Sequence, residues 1–457
     1  MDVGKVLKSV KKVVKGDPFL DIEPEAYSFF VNVNDTDDKP HIQEYPLIES
    51  FTKDIESAES ISVYLHFPLC TPKEDKLCRF CHYNRIKNTD DSALRNRIVD
   101  LLCKEISTFT SKFSAVKNKE ISSFYIGGGT PSLMDEKNLQ QIMTAFKDWK
   151  FKEGAVKTEK TIEATPGTLT ESKINMLANF FNRISVGVQT MDESILNEMN
   201  RLDNDTNKIK KSLTSLLGNA NITTNIDLIY GFPNQNTEKF LKDIESLLKI
   251  QGGPTSFTLY RLRLRRLGGD KSELMGEYEE DPKSFPNQFQ AYEMKLKAKK
   301  YLEKNGYTEG PIGWFTKKSE TAPVVYTDRW SNNIPLIGFG QAAYSYSDNV
   351  QFRNEHKFDL YQYYVGPRET LPITSAIKFD EALRNKRIIS FRLKRMEDIE
   401  ESLFDNIHQD ELTEYFIDKK LLKKVSGKFK LTEIGEVLVE ELISGYIWEE
   451  IKVFFSH

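Results

Sequence analysis

The sequence predicts an α/β fold: a partial (β/α)6 barrel, then an extension, then a C-terminal winged-helix-like domain. Three observations carry this expectation. From residue 60 onward, short β-branched or aromatic runs alternate with long stretches of helical periodicity. The residues just after each run are polar, glycine-rich or cysteine-bearing, as expected at the strand ends where parallel α/β barrels gather their chemistry. From Phe379 the pattern changes to short helices. The 457 residues divide into a basic helix and connector (1–55), the barrel (56–265), a barrel extension forming the substrate region (266–370) and the C-terminal domain (371–457).

At the N-terminus Val3, Val6, Leu7, Val10, Val13 and Val14 recur at helical spacing, interleaved with Lys5, Lys8, Lys11, Lys12 and Lys15. Docking of this stripe on the protein's own body is expected, with membrane-surface contact as the alternative. The run lacks the apolar centre of a signal peptide, and no transmembrane segment is expected. Residues 17–50 read as an irregular connector. The candidate strands are 62–67, 122–126, 161–164, 183–188, 224–229 and 256–262, joined by crossover helices. A net charge of −4 marks neither a polyanion binder nor an acidic disordered chain.

Four cysteines in so long a chain argue against a disulfide scaffold and for a reducing, cytoplasmic location. Three of them, Cys70, Cys78 and Cys81, share the loop after the first strand. Three thiolates can hold an iron–sulfur cubane and leave one iron open to an exogenous chelator. Zinc is the competing chemistry, with His66 or His82 completing the ligand set. Cys103 falls in an apolar-periodic helix over 93–110 and is expected to be core.

After the second strand, Gly127, Gly128 and Gly129 would let a ligand approach and expose backbone N–H groups, or would form a tight turn. Glu163, Gln189 and Asp227 are polar groups set into apolar strands, where burial without partners is costly. Each alone could cap a loop; together they ring one barrel mouth, with Arg201 placed to pair with a carboxylate. In the sixth strand Arg261, Arg263 and Arg265 alternate onto one face, either solvated or meeting an anionic small-molecule substrate. Trp314, Tyr326 and Trp330 are pocket walls or core. Thr432 is an expected N-cap for a helix over 433–443.

The motifs Tyr64-x-His66-x-Pro68-x-Cys70, Cys78-x-Phe80-Cys81, Gly127 to Pro131, Glu163-x-x-Pro166, Arg183 to Gln189, Asn225-x-Asp227 to Pro233 and Gly338-x-Gly340 follow one another in order. In these the chain resembles radical S-adenosylmethionine (SAM) enzymes of the oxygen-independent coproporphyrinogen III oxidase-like family. The resemblance implies a [4Fe–4S] cluster on Cys70, Cys78 and Cys81 and a first SAM near Tyr64, Gly128, Glu163 and Tyr344. Reduction of the cluster would cleave this SAM to a 5′-deoxyadenosyl radical. A second SAM would lie near Phe80, Gly129, Thr130, Gln189, Arg201 and Asp227. A reductant such as flavodoxin or ferredoxin is implied. The family uses its C-terminal domain as a cover over the barrel, so no nucleic acid is expected.

The chain departs from the family in three places. Its cysteines are spaced C-x7-C-x2-C rather than C-x3-C-x2-C, Tyr83 stands where the oxidases carry a further cysteine, and Arg261 replaces a small residue. The favoured expectation is therefore methylation or cyclopropanation of a specialised metabolite, with the second SAM as methyl or methylene donor. The alternatives are radical chemistry on a tetrapyrrole, by oxidative decarboxylation of coproporphyrinogen or ring opening of haem, and a haem-binding chaperone.

Overall fold

A computed structural model describes residues 2–17, 44–88, 91–154, 157–264, 273–405 and 409–443. Helix α1 (Val3–Val14) buries Val6, Val10 and Val14 against the C-terminal part of the chain. Asp17 just beyond it accepts from the Tyr415 hydroxyl at 3.1 Å and pairs with Lys419 at 2.8 Å. The apolar stripe thus docks on the protein's own body. Of the expected connector, 18–43 lie outside the described residues, and 44–50 already belong to a second helix, α2 (Glu44–Ser57), which seats Phe51 and Ile55 in the core.

The barrel follows as β1 (Ser60–Phe67), α3 (Ser92–Lys112), β2 (Glu120–Gly128), α4 (Glu136–Ala145), β3 (Glu159–Ala164), α5 (Glu171–Ala178), β4 (Arg183–Gln189), α6 (Thr206–Leu217), β5 (Thr223–Tyr230), α7 (Thr237–Leu248) and β6 (Ser256–Arg261). All six strands are parallel neighbours in the order β1-β2-β3-β4-β5-β6. Each crossover helix starts on a side-chain cap: Asp91, Asp135, Thr170, Asp205 and Asn236 accept from backbone N–H groups of the first turn. One such cap contributes about 1 kcal/mol.

Alternation along the strands separates two faces. Ile61, Val63, Leu65, Phe124, Ile126, Ile162, Ile184, Val186 and Leu228 are sealed under the helices. The register aligns the opposite set, Ser62 with Ser123, Tyr64 with Tyr125, Glu163 with Ser185, and Asp227 with Thr258. This polar set faces the lumen, and Tyr64, Glu163, Gln189 and Asp227 there are only half-buried.

The same thirteen-stranded sheet continues past both ends of the barrel. Beyond β6 lie α8 (Gln288–Lys304), β7 (Tyr307–Glu309) and β8 (Trp314–Lys317), with β8 antiparallel to β6. On the other edge β9 (Leu336–Phe339) pairs parallel with β1 and leads into the antiparallel run β10 (Tyr344–Tyr346), β11 (Val350–Asn354) and β12 (Ile373–Lys378). A further parallel strand, β9, lies beyond the six expected.

The C-terminal unit comprises α9 (Glu381–Arg395), α10 (Gln409–Asp418), a small antiparallel sheet carrying the hairpin Leu422–Val425 and Lys428–Leu431, and the helices α11 (Glu433–Val437) and α12 (Val439–Leu442). Thr432 caps α11 as expected, accepting from the Gly435 N–H at 3.1 Å, but the single helix expected over 433–443 is interrupted at Leu438. Trp314, Tyr326 and Trp330 are core, packed between the extension and this unit. Among the described residues no helix is long and apolar enough to cross a membrane.

The C-terminal unit is held to the barrel by buried charge. Lys394, Lys295, Arg263 and Arg261 surround Glu440 and hold its carboxyl down at about 2, against burial. A carboxyl depressed in the folded state stabilises above its unfolded value, near 4.3, and loses that contribution as pH falls towards 2. The expected result is loss of C-terminal docking across this acid window, with Glu440→Gln flattening the pH dependence. Tryptophan fluorescence followed during acid titration checks it.

Candidate active site

β1 delivers the chain to the cysteine loop at the lumen mouth. Thr130 donates to Cys70 Sγ at 3.6 Å, and Arg201 Nη1 lies 3.8 Å from Cys78 Sγ. The Arg85 guanidinium grips the loop from below, donating to the carbonyls of Cys78 at 3.1 Å and Cys81 at 3.2 Å. Arg79 pins the same segment outward, on Glu273 at 3.3 Å and on Glu277. Residues 71–77, the long insertion between the first two cysteines, form a tight turn closed by the Lys73–Lys76 bridge, and Lys73 donates to Asn197 at 2.8 Å. The insertion is therefore accommodated as a local turn.

All three thiols are partly accessible and feel one another electrostatically. Burial pushes the Cys70 thiol up to about 11 and raises Cys81 as well, so metal loading must displace protons. Among the described residues no three His, Cys, Asp or Glu groups converge on a single metal ion. A cubane takes each thiolate on a different iron, so its sulfurs stand farther apart than ligands around one ion. His66 is also spent: its Nδ1 meets the Tyr64 hydroxyl at 3.2 Å and its Nε2 the Asn84 carbonyl at 2.9 Å. Burial lowers it to about 4, leaving a neutral imidazole with both nitrogens engaged. A sulfur-only donor set flanked by two guanidinium groups fits an anionic iron–sulfur cluster better than zinc.

The triple glycine does not expose free donors. The Gly128 N–H donates to Glu163 Oε2 at 3.0 Å, the Gly129 N–H to the Phe67 carbonyl and the Thr130 N–H to the Leu69 carbonyl, both at 2.7 Å. Its role is close approach. At Gly128 φ is +112°, and a Cβ there would stand 2.6 Å from the His66 ring, while one at Gly129 would stand 2.5 Å from the Leu69 carbonyl oxygen. Gly128→Ala is therefore expected to cost at least about 1–3 kcal/mol from backbone strain alone, plus displacement of His66 and the cysteine loop. Thermal unfolding together with iron retention measures this.

Glu163 accepts from the Tyr125 hydroxyl at 2.7 Å as well as from Gly128, and burial raises its carboxyl. Asp227 accepts from Ser185 at 2.9 Å and Asn225 at 2.8 Å, and burial raises it too. Arg201 donates to the Gly187 carbonyl and lies 3.8 Å from Asp203. Gln189 takes a left-handed conformation, φ +74°, at the end of β4. Phe80 packs edge-on to Phe232, ring centroids 5.7 Å apart. Tyr344 lies at the start of β10, two strands from β1, with the Arg353 guanidinium 5.3 Å from its ring. Cys103 sits on α3, its Sγ 3.7 Å from the Gln141 carbonyl.

The arginine face is corrected by strand parity. The lumen side of β6 carries Ser256, Thr258 and Tyr260, in register with Asn225, Asp227 and Ile229. Arg261 points the other way, pairs with Glu441 at 3.0 Å with both side chains buried, and lies over the Tyr292 ring. Arg263 belongs to the same charge cluster around Glu440. Arg265 lies outside the described residues. The buried pair with Glu441 thus takes Arg261 off the lumen face on which it was expected.

One lumen cation went unnoticed in the sequence. Arg329 follows the short helix Val324–Asp328 and stands 5.3 Å from the centroid of the Tyr125 ring.

Residues 64–247 match the family model of the Radical SAM superfamily. Over these residues the chain is similar to radical SAM domains. It is 25% identical over 401 residues to heme chaperone HemW of Lactococcus lactis, covering 86% of this chain and 98% of that protein. It is 30% identical over 228 residues to the oxygen-independent coproporphyrinogen III oxidase of Salmonella typhimurium, covering 46% of each. The fold of coproporphyrinogen III oxidase (HemN) from Escherichia coli superposes with a TM-score of 0.70 over 87% of this chain and 92% of that one, at 20% identity. The family resemblance read from the motifs holds. The match thus spans nearly the whole of the Lactococcus relative and less than half of the Salmonella one.

Proposed function

We propose that this radical SAM protein binds a tetrapyrrole in its lumen and acts as a haem-carrying protein that retains SAM cleavage. Cys70, Cys78 and Cys81 would hold the cluster, and Glu163 and the half-buried lumen face of β1 to β5 would receive SAM. When bound, the cluster supplies the electron that cleaves the SAM sulfonium to a 5′-deoxyadenosyl radical. The protein contributes placement and exclusion of water: Arg85 and Arg79 fix the cysteine loop, Arg201 brings positive charge to Cys78, and Glu163 is oriented by Tyr125 and Gly128.

The observation that carries the haem reading is the match over 98% of a protein named as a haem chaperone, together with Tyr83 in place of the oxidases' further cysteine. Methyl or methylene donation by a second SAM draws no support from the relatives.

Anaerobic reconstitution with iron and sulfide, followed by haem titration and mass analysis after adding SAM and dithionite, tests the reading. The expected result is saturable haem uptake with 5′-deoxyadenosine and methionine as the only SAM products. S-adenosylhomocysteine or methylthioadenosine would establish use of the second molecule, and decarboxylation of added coproporphyrinogen would establish an oxidase.

A further inference from the structure

The carboxylates of the lumen accept their hydrogen bonds from neutral donors, Glu163 from Tyr125 and Gly128, Asp227 from Ser185 and Asn225. The charge of Arg183 acts on Asp227 and that of Arg329 on Glu163, and among the described residues Arg329 does so without a hydrogen bond or ion pair. Its guanidinium lies between the rings of Tyr125 and Trp314, at 5.3 and 5.9 Å. Among the described residues its side chain forms no ion pair or hydrogen bond, and the residue is half-buried.

The side chain is held there by construction. Glu159 accepts from the N–H groups of Val324 and Val325, Asp328 accepts from Ser122, and the Arg329 carbonyl accepts from the Tyr346 hydroxyl. The segment is thereby tied to β2 and β3. The charge of Arg329 is felt by Tyr64, Tyr83, Tyr125 and Tyr260. Tyr260 is on the lumen side of β6, in register with Ile229, and Tyr83 follows the cysteine loop with its ring 6.3 Å from that of His66; they keep 40% and 55% of their surface open. A fixed guanidinium with no hydrogen-bonded anion, set beside lumen tyrosines, is a receptor for a carboxylate borne on a flat apolar body.

We propose that Arg329 anchors a carboxylate of the substrate, with Tyr83 and Tyr260 walling the ring system that carries it. This rests on the tetrapyrrole reading for the ring and on the geometry alone for the carboxylate.

The test titrates the full-length reconstituted protein with haem and haem dimethyl ester by absorbance, and with benzene-1,3,5-tricarboxylate by tryptophan fluorescence. The wild type should prefer free-acid haem to the ester by roughly tenfold or more, the worth of one charge-assisted hydrogen bond. Arg329→Gln should abolish that preference while still binding the ester, and Arg329→Lys should restore part of it. If neither haem form binds but the tricarboxylate binds in an Arg329-dependent way, the clamp stands and the tetrapyrrole reading falls. An unchanged acid-over-ester preference in Arg329→Gln overturns the clamp. So does a loss confined to SAM affinity, which would put the guanidinium on the cofactor's own carboxylate.

Discussion

Replacing Cys70, Cys78 and Cys81 together by alanine is expected to abolish iron loading and reduce 5′-deoxyadenosine formation to background, whereas Cys103→Ala should do neither. Thiolates are soft donors suited to an iron–sulfur cluster, and Cys103 sits apart from the other three on α3 against α4. His66 has both ring nitrogens engaged, and the Nε2 of His82 meets the Arg263 carbonyl at 2.8 Å. Iron and sulfide analysis with product detection decides it. A triple variant that still loads iron and cleaves SAM would refute the site.

The second large effect is on stability. Arg261 and Glu441 have side chains only 4% and 2% exposed, and Glu441 also accepts from the Tyr292 hydroxyl at 2.7 Å. Removing one partner of such a pair strands the other charge in the interior and costs about 3–5 kcal/mol. Arg261→Met should therefore destabilise the protein markedly. Arg261→Met with Glu441→Gln should recover most of the loss, because glutamine keeps an acceptor for Tyr292 without a charge. Thermal melts of the single and double variants measure the coupling. A single variant with unaltered stability and a raised substrate constant would restore the discarded reading of Arg261 as a substrate ligand.

The barrel was legible because its strands obey local rules. Each of the six predicted runs lies within two residues of an observed strand at both ends, since β-branched runs punctuated by turns and caps carry their own signal. The cysteine loop and the polar residues Glu163, Gln189 and Asp227 were legible for the same reason: a polar group in a buried strand stands out. Direction was harder. Arg261 looked like a mouth residue because alternation gives two faces without saying which is inside; only the register of Thr258 with Asp227 shows that Tyr260, not Arg261, faces the lumen. The triple glycine signalled close approach correctly, yet what approaches is the His66 ring and the backbone after β1, a contact between distant segments. Arg329 carried no local signal, being one arginine in an aromatic-rich extension, and its place depends on Glu159 and Ser122 far away in sequence. The one cue was its position beside Trp330 after the Pro323 helix start.

The most direct measurement is electron paramagnetic resonance of the anaerobically reconstituted, dithionite-reduced protein with and without SAM. A three-thiolate site with one open iron should give a [4Fe–4S]+ signal that changes on adding SAM. That signal should vanish in the triple cysteine variant and persist in Cys103→Ala. A protein that takes up zinc and no iron, or a cluster whose signal is indifferent to SAM, would contradict a radical SAM centre on Cys70, Cys78 and Cys81.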